Sequence, residues 1–540
     1  MPSVREMKRG RGASSLWLGA LPLLFLTIVM LAPLLRIAVE AFSGTASVTA
    51  ALVADLWRDD YLRWRILWSF IQAAVTCVAA LVLALPVSWV LARFRFPGRA
   101  LVLRLLMLPF VVPTLVAAMG VLALWGPQGF VSGWFGIDLQ DTPWLLLYGN
   151  LFFNLCLVVR AGVDALGHVS AARVAAARTL GASPWRVFWR VEWPAILPWL
   201  ASALCLVFLY CLSGFGLALV LGGQRYATAE VEIYTLVAHE LQLAQAGVLA
   251  LCMALLTGLV ALAYAWIEQH LAVPGRADVI ALRRPQSVQQ WGAVLGALLV
   301  LTVFCAAPLM AIVVRAAGAG SAAWATVLES DSLQAIGNTL RFTAAALVLA
   351  VLLGVCHALA ARRSVVLRAA AFLPFVVSPV AVAFGLLLLY PGWTASLWLL
   401  VAAYALLAYP FVAQSLGAAL DNLPQHLAQA ARSLGATPWR LFWRVTLPMI
   451  LPSLRRGMAF AAATALGEFA VTLFLSRPEW TTLTTLIYER LGRPGAGNRD
   501  EALVLAAVLM LLALLAFMLI DQPGARDAGR TRQVVGAAHA

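Results

Sequence analysis

Two nineteen-residue segments carry the polar side chains best placed to contact something outside this chain. Residues 176–194 read AARTLGASPWRVFWRVEWP and residues 430–448 read AARSLGATPWRLFWRVTLP. An offset of 254 pairs Ala176 with Ala430, Ala177 with Ala431, Gly181 with Gly435, Trp185 with Trp439, Arg186 with Arg440 and Arg190 with Arg444. Arginine and tryptophan at helical spacing can bind anions, carbonyls or flat apolar surfaces, but they supply no nucleophile. A second candidate is Glu468, in TALGEFAVTLF, because a carboxylate inside an apolar run costs roughly 2.5–3.5 kcal/mol on insertion scales. Its counterpart is Gly214, so the carboxylate stands in one half only and could serve a solute, helix packing or a gate.

The local sequence dictates how the repeated segment is held. Ala175–Leu180 favours helix, and Gly181 supplies the left-handed residue that ends one. Ser183-Pro184, and Thr437-Pro438 in the second copy, are an N-cap followed by proline at the first helical position. Arg186 and Arg190 then share one face, with Trp185, Phe188 and Trp189 on the other. The product is a helix–Gly–helix elbow at a membrane surface. It reads either as an amphipathic helix lying in the headgroups or as a docking knob for a cytoplasmic partner, and a fixed glycine spacing favours the knob.

Composition sets the surroundings. Of 540 residues, 63% are hydrophobic and 11% charged, and the mean hydropathy is +0.90, which excludes an ordinary soluble globule. Apolar runs near 16–39, 67–92, 101–125, 143–163, 197–221, 244–267, 291–315, 336–360, 368–391, 394–417, 452–475 and 501–520 predict twelve membrane spans, the first an uncleaved helix. Loops of one parity are Arg-rich (Arg93, Arg95, Arg99; Arg276, Arg283; Arg362, Arg363), whereas the others hold Asp55, Asp59, Asp138, Glu230 and Glu329. The positive-inside rule then places both termini and both elbows in the cytoplasm, and accounts for the net charge of +14 without nucleic acid.

Repetition extends past the elbows. Tyr234 pairs with Tyr488 and Phe215 with Phe469 at an offset of 254, and Ser69 with Thr339 at 270. Leu-Pro-Phe-Val-Val-Pro (108–113) returns as Leu-Pro-Phe-Val-Val-Ser-Pro (373–379). Pro109, Pro113, Pro374 and Pro379 therefore break the third span of each half, as an ordinary kink or as a bent helix lining a path. The segments 219–234 and 473–488 turn back toward the membrane, as an outer gate, a contact for a binding protein, or plain loops. No GxxxxGK[ST], HExxH, CxxC or Gly-x-Ser-x-Gly elbow is present, so ATP hydrolysis by this chain is not expected.

The elbow resembles the signature loop of ABC importer permeases, Glu-Ala-Ala, three residues, Gly, nine residues, Ile-x-Leu-Pro. The leading Glu is replaced by Ala175 and Gln429, and the endings here are Val191–Pro194 and Val445–Pro448. The resemblance implies an all-α integral membrane protein of the type I permease fold, with about twelve transmembrane helices in two parallel six-helix repeats. These are residues 1–270, with its elbow at 170–194, and 271–540, with its elbow at 424–448. It further implies a multi-pass protein of the bacterial inner membrane, two copies of a cytoplasmic ABC ATPase carrying ATP and Mg, and a periplasmic solute-binding protein. No cofactor is expected on this chain itself. Fused permeases of this length resemble two groups, thiamine (thiamine pyrophosphate) importers and ferric-iron importers. The stretches 93–130, 151–166, 221–234, 466–475 and 483–492 are similar to the thiamine group. Pro109, Pro113, Pro374, Pro379, Glu468, Tyr234 and Tyr488 are then the candidates for the translocation path. The rival reading from another class is an ion-coupled secondary transporter using Glu468.

Overall fold

The computed structural model describes residues 18–42, 54, 57–271, 281–362, 364–393, 396–475 and 477–521. Arg5, Lys8, Arg9, Arg11, Asp55, Arg276, Arg363 and the Arg526–Arg532 tail lie outside the described residues, as does most of the linker between the halves. The described residues are helical apart from loops and one isolated bridge, Phe94 to Arg283.

Setting aside short helical pieces in the loops and a π-helical turn at each elbow, the described helices form two sets of twelve. The first set is α1 (Leu18–Ala41), α2 (Asp60–Arg93), α3 (Arg99–Leu105), α4 (Leu108–Val111), α5 (Thr114–Trp125) and α6 (Pro143–Gly167). It continues with α7 (Ala171–Thr179), α8 (Pro184–Val187), α9 (Trp193–Leu212), α10 (Phe215–Leu221), α11 (Ala229–Ala238) and α12 (Leu243–Leu271). The second set is α13 (Val288–Gly318), α14 (Ser330–Ala361), α15 (Val365–Ala370), α16 (Leu373–Val376), α17 (Pro379–Leu389) and α18 (Leu397–Asp421). After it come α19 (Gln425–Ser433), α20 (Pro438–Leu441), α21 (Leu447–Leu466), α22 (Ala470–Leu475), α23 (Leu483–Gly492) and α24 (Ala496–Ile520). Each helix has its counterpart twelve places on.

Ten described helices are long and apolar enough to cross a membrane, and a bent pair makes eleven. The remaining expected span, 452–475, differs: α21 carries Arg455 and Arg456 side by side, which lower its hydropathy, and the chain then breaks before α22. The run expected at 197–221 likewise breaks at Ser213-Gly214, between α9 and α10.

The prolines also divide the third span of each half into three pieces rather than kinking one helix. Proline lacks an N–H and pushes its predecessor into extended backbone, and Val112 has ψ 129 before Pro113. In the second half Val366–Val376 and Pro379–Leu389 meet at 93°.

Within each half the long helices pack as a bundle, α2 on α6 and α9, and α14 on α18 and α21. The first helix of each half packs on both halves: α1 lies against α12 of its own half and α17 of the other, and α13 against α24 of its own half and α5 of the other. Glycine permits both crossings to the other half. A Cβ on Gly385 would lie 2.7 Å from the Pro33 carbonyl oxygen, and one on Gly120 would lie 2.6 Å from that of Pro308. Small residues at such crossings let membrane helices approach closely, which is where their association energy comes from.

Ser69 and Thr339, matched in the sequence, do the same job. Ser69 Oγ accepts from Ala229 N at 2.9 Å and Thr339 Oγ1 from Leu483 N at 2.9 Å, each tying a short returning helix (α11, α23) to the start of a long span.

Candidate functional site

Both elbows have the geometry that their sequence dictates. Gly181 and Gly435 adopt φ of 77° and 75°. Ala182 N donates to Ala177 O and Gly181 N to Arg178 O; Ala436 N to Ala431 O and Gly435 N to Arg432 O repeat the pattern. These paired bonds close a helix through a left-handed glycine. Ser183 Oγ and Thr437 Oγ1 then accept from Arg186 N and Arg440 N, each at 3.4 Å, starting α8 and α20. Trp185 and Trp439 are each 70% exposed, and Arg186, Arg190, Arg440 and Arg444 are exposed beside them. Ala176 and Ala430 face outward, with Ala177 and Ala431 half-buried. A π-helical turn follows in each copy, Phe188–Glu192 and Phe442–Thr446, and joins the elbow to the span behind it. Such turns bend a helix locally, and no composition signal announced them.

The two elbows are anchored differently. Glu192 accepts from Arg93 Nη2 at 2.7 Å, with both side chains under a tenth exposed. Beside it Arg283, from the linker, pairs through its backbone with Arg93 and Arg95 and places its guanidinium 5.4 Å from the Phe94 ring centre. In the second copy Thr446 stands where Glu192 does and cannot form an ion pair. Val174, Val187 and Glu192 are buried in the first elbow; in the second, the described residues from 425 to 446 are all exposed or half-buried.

Between the halves lies a cavity of about 310 Å³. Pro113, Pro374, Pro379 and Glu468 line it, among Phe110, Phe153, Tyr210, Phe375, Phe411 and Phe460. Pro109, Tyr234 and Tyr488 do not. Pro109 is buried beside the break instead. The two tyrosines back a pair of rings at the cavity's end remote from the elbows. There Phe215 stacks on Phe469 at 5.9 Å, Tyr234 stands 5.6 Å from Phe215, and Tyr488 stands 5.3 Å from Phe469. The segments 219–234 and 473–488 therefore deliver aromatic backing to the meeting point of α10 and α22.

Glu468 has a structural task as well. Its Oε1 accepts from Val471 N at 2.9 Å, capping α22, so a residue of the cavity lining also starts a helix. Each half's break is met by a carboxylate-bearing segment of the other half: Gly467 packs on Pro113, and Ser378 donates its hydroxyl hydrogen to Glu230. Ser378 Oγ also accepts from Val380 N at 3.1 Å, so Glu230 is tied to the start of α17.

The family described as "Binding-protein-dependent transport system inner membrane component" matches residues 84–273 and 347–522, more than half of the chain. The chain belongs to that family. It is also similar to the thiamine transport system permease protein ThiP of Escherichia coli K12, 28% identical over 493 residues, covering 87% of this chain and 90% of that one. With the protein of the same name from Brucella suis the identity is 29% over 536 residues, covering 94% and 95%. The sulfate transport system permease protein CysW of Synechocystis is 32% identical over 208 residues, covering 38% of this chain and 74% of that one.

Membership makes this a multi-pass inner-membrane component of a binding-protein-dependent transport system, and the ion-coupled reading falls. A transport component of this type works with a binding protein, and its repeated matched segment agrees with the repetition of helices. The sequence does not reveal the roles of several polar residues. Arg93 counts there as one charge of an Arg-rich loop, and its ion pair with Glu192 joins residues far apart in sequence. Glu230 was read as a loop charge, whereas it is 1% exposed. Asn150 and Asn154 line the cavity on one face of α6; Asn154 falls in the stretch 151–166 that resembles the thiamine group, and their four-residue spacing within an apolar run puts them on one helix face.

Proposed function

We propose that this permease forms the membrane path of a thiamine importer, moving thiamine or its phosphate esters by ATP-driven alternating access. The observation that carries the reading is the cavity between the halves: rings on several sides and, among the described residues that line it, one carboxylate and no Lys, Arg or His. An aromatic cation suits such a lining, through ring faces and an opposed negative charge. Similarity to thiamine permeases along almost the whole chain supports the same solute. Ferric iron is less well served, because such sites gather several oxygen ligands and Glu468 is the cavity's single carboxylate.

Two copies of a cytoplasmic ATPase dock on the elbows, one at 170–194 and one at 424–448, and carry ATP and Mg. Closure of the ATPase pair draws the elbows together, rocks the repeats 1–270 and 271–540 against each other, and separates Phe215 from Phe469 on the outer side. The binding protein delivers solute there. Both termini are cytoplasmic in this reading, which the Arg-rich loops support.

The experiment is uptake of radiolabelled thiamine at low external concentration by cells with and without the gene, with ferric iron in parallel. Loss of thiamine uptake alone is the expected result. Loss of iron uptake alone would replace the solute, and loss of neither would remove both.

A further inference from the structure

Two asparagines one helical turn apart, Asn150 and Asn154, line the cavity while being only 5% and 4% exposed. Their orientation follows from a chain of fixed donors. Gln72, fully buried in α2, donates through Nε2 to the Cys211 carbonyl at 2.8 Å and to the Ser69 carbonyl at 3.1 Å. Backbone carbonyls only accept, so the Gln72 amide nitrogen must face them and its Oε1 must face α6. Asn150 Nδ2 donates to that Oε1 at 2.7 Å. Asn154 Nδ2 donates to the Asn150 carbonyl at 2.9 Å and to Cys211 Sγ at 3.4 Å. The amide flips that are ordinarily ambiguous are settled by this network.

What remains is one amide oxygen on each asparagine. Neither Oδ1 has a partner among the described residues, and neither is among the buried atoms sealed in protein, so each meets the cavity that its residue lines. Two acceptors on one wall, with Glu468 also on the lining, make a polar surface that accepts hydrogen bonds and attracts positive charge.

We propose that Asn150 and Asn154, held by Gln72, form an acceptor subsite that reads N–H donors on the edge of the solute, the class being a heteroaromatic ring bearing a primary amino group. The proposal rests on the thiamine reading for its choice of solute, since the pyrimidine ring of thiamine carries such an amino group. An edge that offers acceptors instead would leave both amide oxygens unpaired, and an unpaired buried acceptor is where discrimination by hydrogen bonding comes from. Gln72 touches no solute; it is a positioning residue for Asn150.

The test uses the complete complex of permease, ATPase and binding protein reconstituted in vesicles. Maximal uptake rates are compared for thiamine and for the analogue whose pyrimidine amino group is replaced by hydrogen, which removes the N–H donors from that edge, each presented on saturated binding protein. Asn150→Leu and Gln72→Leu are expected to lower thiamine uptake about tenfold and to change uptake of the deaminated analogue less than about twofold. An equal fall for both solutes, or no fall for either, would overturn the subsite. Asn150→Gln, which moves the acceptor by one methylene, replaces Asn150→Leu if that variant does not assemble.

A separate measurement keeps this independent of the solute's identity. Saturation-transfer NMR with an aminopyrimidine alone, on the detergent-solubilised complex, should give transfer that is lost in Asn150→Leu. Absence of transfer in the unaltered complex would overturn the subsite even if thiamine uptake were normal. Absence of thiamine uptake with normal transfer would overturn the solute and leave the subsite standing.

Discussion

Phe215 and Phe469 stack at 5.9 Å with their planes 27° apart, although they belong to opposite halves of the chain. They are counterparts in the repeat, so the contact lies where the two halves meet. Each is backed by its own half's tyrosine, Tyr234 or Tyr488, and neither phenyl ring is more than 3% exposed. Offset-stacked rings are worth about 0.5–1.5 kcal/mol beyond their buried area, enough to hold a seal and little enough to release it. The pair Phe215→Ala with Phe469→Ala should therefore raise ATP hydrolysis without binding protein several-fold, measured as phosphate release from reconstituted complex. Unchanged basal hydrolysis would remove the seal.

The Arg93–Glu192 ion pair is nearly buried, and removing one partner of such a pair costs about 3–5 kcal/mol because the other charge stays behind. Glu192→Ala should lower the thermal unfolding midpoint of the purified permease by several degrees, and should reduce transport per ATP hydrolysed more than it reduces ATPase binding. Thr446→Ala, at the matching place in the second copy, should change both by little. Equal effects of the two substitutions would mean that the anchoring difference has no bearing on coupling.

Gly181 and Gly435 sit at positive φ with open space around them, so a side chain there is strained rather than blocked. The left-handed conformation costs a residue other than glycine roughly 1–2 kcal/mol, which an elbow can bear without unfolding the bundle. Gly181→Arg with Gly435→Arg should abolish co-purification of the ATPase while the permease keeps its elution volume and helical circular dichroism. Normal co-purification of the double variant contradicts docking at the elbows.

Glu468 can be divided into its two tasks. Gln keeps a side-chain oxygen that can cap α22, whereas Ala does not, and loss of a cap costs about 0.5–2 kcal/mol. Glu468→Gln should therefore hold the unfolding midpoint near that of the unaltered protein and still slow uptake of a cationic solute several-fold; Glu468→Ala should lower both. Full uptake by Glu468→Gln would confine the residue to capping.

The elbows were legible because everything that shapes them is local: Gly181, Ser183 and Pro184 act on their immediate neighbours, and the second copy repeats the instruction. Most spans were legible from apolar length. The span ending near Leu466 was only partly so, because hydropathy averages Arg455 and Arg456 with the small residues around them. Four prolines announced broken helices, but not a 93° turn, which depends on what each broken end packs against. Gln72, Asn150 and Asn154 lie far apart or inside oily runs, and their network exists only once α2, α6 and α9 are side by side. The first helices gave no sign that each also packs against the opposite half.

That packing of the first helices bears on how the protein is made. Pro33 must wait for Gly385, about 350 residues later, before α1 can close against α17. At about 5–20 residues per second the wait is tens of seconds, long compared with helix formation. During synthesis α1 sits in the lipid as an inserted helix with one face uncovered, and the first half leaves the ribosome with the place beside α5 vacant until α13 arrives. Neither half can reach its final packing alone, so the chain must mature as one unit after both have been threaded into the bilayer.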